Sequence, residues 1–140
     1  MELAWEEEFS VGNAMIDSEH KNLIVVANSV EHAIRAKNSI AVSRAIKLLE
    51  EHMRNHFTIE EKVARAINFT FTNNKLEHHY LLKLLQHIRE ELEAKNGILS
   101  EGATEHFSHF LSDFITEHIF KEDMLMKPVL QAYPYDFKPD

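Results

Sequence analysis

The chain has 140 residues, which suits one domain with a single core. It has no cysteine, so disulfides, thiolate zinc sites and iron–sulfur clusters are excluded and any metal must take nitrogen and oxygen ligands. A formal charge of −8 without any basic run argues against nucleic acid and membrane surfaces as partners, since both reward clustered Lys and Arg.

Three glycines and three prolines leave little material for turns, which favours a few long helices. The opening Met-Glu-Leu-Ala-Trp-Glu-Glu-Glu lacks the basic and apolar regions of a signal peptide, and no apolar run reaches membrane-spanning length. A cytoplasmic protein is expected. Residues 1–16 carry Trp5, Phe9, Val11 and Ile16 without helical spacing and read as an extended arm packed on the core. Asp17 then stands where an N-cap belongs, and His20, Leu23, Ala27, Val30 and Ile34 form the stripe of a first helix that Lys37-Asn38 ends.

Ser39 can cap a second helix reaching Ala66, with Val42, Ile46, Leu49, Met53, His56, Glu60, Val63 and Ile67 in alternating steps of four and three, the mark of a buried bundle seam. Asn68 to Asn73 break the pattern and read as a loop. A third helix places Asn74, His78, Leu81, Leu85, Ile88 and Leu92 on its seam and stops at Asn96-Gly97. After a loop from Ile98 to Gly102, a fourth puts Phe107, Phe110, Leu111, Phe114, His118 and Leu125 on its apolar side, with Pro128 limiting its length. The tail, residues 131–140, has no period and reads as a linker or docking arm. The fold expected is an all-α, antiparallel up-down-up-down four-helix bundle.

Each of these stripes carries a histidine: His20, His56, His78 and His118. A single core histidine needs no explanation, but four, with Glu60 one turn after His56, make a nitrogen and carboxylate cluster of the kind that holds metal between facing helices. Imidazole with carboxylate suits iron, manganese or zinc, and there are enough ligands for two ions bridged by carboxylates. The fourth helix must supply the second carboxylate. Helical periodicity would choose Glu122, four residues after His118, over Asp123, five after it. His32, His52, His87, His106 and His109 lie off the seams and read as surface residues. No histidine has a glutamate three residues before it, which argues against the Glu-x-x-His pairs of ferritin-like di-iron enzymes.

Asp17-Ser18-Glu19-His20, His56-Phe57-Thr58-Ile59-Glu60-Glu61, Glu77-His78 and His118-Ile119-Phe120-Lys121-Glu122-Asp123, with Trp5 and Phe9-Ser10-Val11-Gly12 before them, resemble the successive motifs of hemerythrins and bacterial hemerythrin-like domains. The resemblance spans nearly the whole chain. It implies a non-haem pair of iron ions, oxo- or hydroxo-bridged when ferric, held by His20, His56, Glu60, His78, His118 and Asp123, with Asp123 rather than Glu122 bridging beside Glu60. It implies a non-enzymatic domain that binds dioxygen, and small ligands such as azide or nitric oxide, in residues 1–130. One position departs: Asn74 stands where the family has a histidine, so the site is one imidazole short unless the amide is a weak ligand or bonds a coordinated water. A more open site favours an oxygen or redox sensor in a signalling protein, with residues 131–140 leading to an output domain. Reversible oxygen carriage and a metal-free interaction module are the alternatives.

Overall fold

The computed structural model describes residues 3–70, 72–96 and 99–140, and of residues 72–75 and 118–120 the helical backbone alone. No strand occurs among the described residues. Four long helical segments follow the arm: α1, Ala14–Arg35; α2, Ser39–Ala66; α3, Thr72–Ala94; and α4, Glu101–Asp113. The last continues without a break as a π-helical segment, Phe114–Glu122, a 3₁₀ turn, Asp123–Met126, and a final short helix α5, Lys127–Leu130. The architecture is the expected four-helix bundle.

The stripes of α1 and α2 are its central seam. Every residue of the α2 stripe from Val42 to Ile67, Glu60 included, is buried, as are His20, Leu23, Ala27, Val30 and Ile34 of α1. Among the described residues, α1 and α2 pack on each other more extensively than any other pair. On α3, His78, Leu85 and Leu92 are buried, with Leu81 and Ile88 partly so. At one end of the bundle Arg35 reaches Glu31 and Glu105 at 3.2 and 3.1 Å, and the Ser108 hydroxyl donates to Glu31, tying α1 to α4. Arg89 meets Glu50 at 3.1 Å and ties α3 to α2. His20 lies fifteen residues before Arg35 on α1, about 22 Å away at the α-helical rise, so the polar stripe residues gather at the opposite end.

Several boundaries differ from the sequence expectation. Helix α1 begins at Ala14, and its cap is Asn13, whose side-chain oxygen accepts the Ile16 amide. Asp17 lies inside the first turn, because its carboxylate is engaged elsewhere: Oδ1 accepts the Val11 amide, and Oδ2 accepts the Ser10 and Tyr135 hydroxyls. Asn38, not Ser39, caps α2 through the Ala41 amide. Thr72 and Asn73 belong to α3 rather than to the loop, and Gly102 belongs to α4, which Ser100 caps. Pro128 does not stop the chain's last helix, since a proline in a first helical turn has no amide to miss. The arm includes a 3₁₀ turn, Glu7–Phe9, and turns into α1 at Gly12, whose φ of 84° is one that L side chains rarely adopt.

The C-terminal tail packs against this arm. Val11, Ile16, Val63, Ala64, Ile67, Met126 and Leu130 form a second small core, against which Tyr133 and Phe137 pack. The Ala14 amide donates to the Tyr135 carbonyl at 2.8 Å, and the Asn13 side-chain amide to the Phe137 carbonyl at 3.0 Å.

Replacing Asn38, an exposed cap, with alanine should cost about 1 kcal/mol in urea unfolding. Asn13→Ala should cost more, because it also removes the donor to Phe137. Partial burial, and then the hydrogen bond to Asp17, push the Tyr135 phenol up to about 12. The folded state therefore favours the protonated phenol. Its contribution is complete below the ordinary tyrosine pKa of about 10 and is lost as pH rises through about 12. Ultraviolet phenolate titration of the wild type against Tyr135→Phe checks this.

Candidate metal centre

Four elements place polar side chains in the bundle core. α1 brings His20, α2 brings His56 and Glu60 one turn apart, α3 brings His78, and Asp123 comes from the start of the 3₁₀ turn; all are buried. His20 Nε2 lies 2.7 Å from Asp123 Oδ2, and His56 Nε2 lies 3.3 Å from the same oxygen. His56 Nε2 is also 2.8 Å from Glu60 Oε2, which stands 3.8 Å from His78 Nε2. One ligand atom each from His20, His56 and Asp123 fits within a span of 4.8 Å, the spacing of a shared cation. Glu60 turns one oxygen, Oε2, toward the imidazoles of both His56 and His78.

The electrostatics of the site call for positive charge. Burial works to lower the His56 pKa, but the Glu60 carboxylate, helped by Asp123, outweighs it and holds the imidazole up at about 10. In the metal-free chain a proton supplies the charge that the carboxylates demand, and a metal ion would displace it. Buried Nδ1 of His20 has no hydrogen-bond partner among the described residues. All donors are imidazole nitrogen or carboxylate oxygen, a set that suits iron.

The register of Asp123 follows from the π-helical segment. A π turn closes from i to i+5, so a residue five after position 118 comes back to the same face, whereas in an α-helix that residue would be four after it. Asp123 is accordingly fully buried and Glu122 only half-buried. The same shift turns Leu125 outward, 58% exposed, and Met126 inward, which corrects the expectation that Leu125 lies on the apolar side. At the start of the segment the Thr116 hydroxyl donates to the Ser112 carbonyl at 2.9 Å.

Phe57 was not anticipated as part of the site. Its ring stacks on His78 at 3.8 Å and 8° and meets Phe114 edge-on at 6.4 Å, so it sets the plane of one imidazole and shields it from water. Its place directly after His56 is the only sequence signal for this. His118 and Asn74, both singled out in the sequence, lie outside the described residues as far as their side chains are concerned. His32, His87, His106 and His109 are exposed and His52 is half-buried, and the cluster that could hold metal is made by His20, His56 and Asp123 without them.

The family described as the hemerythrin HHE cation-binding domain matches residues 11–130. The chain belongs to the hemerythrin family. Bacteriohemerythrin from Clostridium acetobutylicum is 30% identical over 129 residues, covering 85% of this chain and 94% of that protein. Bacteriohemerythrin from Pseudomonas aeruginosa PAO1 is 23% identical over 122 residues, covering 86% of this chain and 76% of its own length. A crystal structure of a hemerythrin variant superposes with a TM-score of 0.79 at 23% identity over 93% of this chain and 98% of the other, a likeness of fold. Hemerythrins hold a di-iron centre, and this hemerythrin domain has a buried donor cluster fit to hold metal. No helix among the described residues is long and apolar enough to cross a membrane.

If the π register selects the carboxylate, Asp123→Asn should lower bound iron well below that of the wild type, while Glu122→Gln should leave it unchanged. Iron per chain after anaerobic loading and desalting measures both.

Proposed function

We propose that His20, His56, Glu60, His78, His118 and Asp123 hold two iron ions, with Glu60 and Asp123 as the shared carboxylates, and that the domain responds to dioxygen or redox state as the sensing module of a signalling protein. The observation that carries the metal assignment is the convergence of His20, His56 and Asp123 ligand atoms within 4.8 Å in a buried core, with Glu60 and His78 alongside. When bound, an iron pair would supply an open coordination position for dioxygen, azide or nitric oxide, and the electrons that dioxygen binding draws on. The chain's own residues hold the charge, orient the imidazoles and exclude water. The domain acts by binding rather than by turnover.

The sensor reading rests on Asn74. Where the family has a third imidazole for one iron, this chain has an amide, which leaves that ion a second exchangeable position and alters the balance of ferrous and ferric states. Reversible carriage requires an adduct that survives; a more open site favours reaction and signalling. In this reading residues 1–130 form the iron domain and 131–140 lead toward an output element, in a cytoplasmic protein.

The first test is iron content with the visible spectrum of anaerobically reduced protein before and after air. About two irons per chain, with ferric charge-transfer bands developing in air, supports the assignment; a colourless protein without iron, or with a single zinc, refutes it. A long-lived oxygen adduct would favour the carrier over the sensor. Asn74→His should slow autoxidation and weaken azide binding, and unchanged rates and affinity would remove the sensor argument.

A further inference from the structure

The segment after Asp123 ends on the helix that carries His20. Asp123 opens a continuous stretch in which Met126 and Leu130 are buried, Tyr133 and Phe137 pack on the second core, and the Tyr135 hydroxyl donates to Asp17 at 2.9 Å. Asp17 is 1% exposed and lies one turn before His20 on α1. The tail is thus fastened at two points, and each lies on the same short stretch of backbone as one of the two site residues, Asp123 and His20, whose side chains stand 2.7 Å apart.

The two sides differ in stiffness. α1 is a regular helix packed along α2, whereas Asp123 sits where a π segment gives way to a 3₁₀ turn, with poorer hydrogen-bond geometry on both sides. A change in the separation of His20 and Asp123 would be accommodated more easily by the segment from Asp123 onward than by α1. That segment meets the start of α1 through Ile16, which shares the second core with Met126 and Leu130, and through the hydrogen bonds of Tyr135 to Asp17, Ala14 to Tyr135 and Asn13 to Phe137.

We propose that residues 131–137 are a latch whose docking on Asn13, Ala14 and Asp17 is coupled to the state of the metal site, so that the tail is the element through which that state leaves the domain. This rests on the iron assignment made above. Coupling is reciprocal: what the site does to the latch, the latch does to the site.

The test uses the full chain, with amide hydrogen exchange read at Ala14 and Phe137, whose amides bond the Tyr135 and Pro134 carbonyls. Exchange is compared between the reduced iron-loaded protein and the oxidised protein with azide, and normalised to the Leu49 amide in the middle of α2, which reports the bundle as a whole. The normalised rates should differ about fivefold or more between the two iron states, and Tyr135→Phe, which keeps the ring, should change azide affinity by a similar factor at unchanged iron content. A merely structural strap would lower the melting temperature of Tyr135→Phe and leave azide affinity as it was. Two irons per chain with equal normalised rates in both states, or with unaltered azide affinity in the variant, overturns the latch and leaves the iron assignment standing. Absence of iron overturns both.

Discussion

Two carboxylates enclosed in a helical core set the terms for everything around them. Glu60 and Asp123 have no contact with water, and the idealised cost of burying such a charge is large enough that it survives only when met by positive charge and hydrogen bonds. Without metal, the His56 imidazole meets both carboxylates and is held protonated far above its ordinary range. Away from the metal end the same problem is solved differently: Glu31, and Glu50 midway along α2, are met by Arg35 and Arg89, whose long side chains keep their heads partly in water. The apolar seam of Leu23, Val30, Ile46, Leu49 and Met53 runs along the bundle and supplies the hydrophobic stabilisation. The metal end depends on a cation in a way that the arginine end does not.

The π segment serves that same requirement. A regular α-helix through residues 114–126 would point Glu122 and Leu125 at the core; lengthening the turn brings in Asp123 and Met126 instead. The shorter aspartate keeps its carboxylate close to its own backbone, where His20 and His56 can both meet one oxygen. The helix gives up regular hydrogen bonding to gain this placement. Irregular backbone next to a functional site is thus a consequence of which side chain has to face it.

The arm and the tail complete the metal end. Asp17 gathers the Val11 amide and the hydroxyls of Ser10 and Tyr135, so both ends of the chain converge on one carboxylate a single helical turn from His20. Phe57 has a comparable place inside, stacked on His78 and touching Phe114. Neither residue is on the polar list that spacing produces, because each acts on a site residue or its backbone rather than joining the cluster.

The sequence by itself determined the helical bundle, the seams and the residues that interrupt them, because alternation in steps of four and three is a local property that burial simply enforces: every residue of the α2 stripe from Val42 to Ile67 is enclosed. It also determined the chemistry available, since a chain without cysteine offers a buried cation little besides imidazole and carboxylate. Periodicity alone favoured Glu122 and the family resemblance Asp123; the tertiary structure supplied the physical reason that Asp123 is the buried one, because periodicity assumes a constant turn and the π segment changes it. Helix starts were likewise decided by competition: Asn13 caps α1 because Asp17, an equally good cap by residue type, is taken up by the arm and the tail. The docking of residues 131–137 across more than a hundred positions of sequence has no periodic signature at all, since it depends on what α1 and α2 present once they have packed.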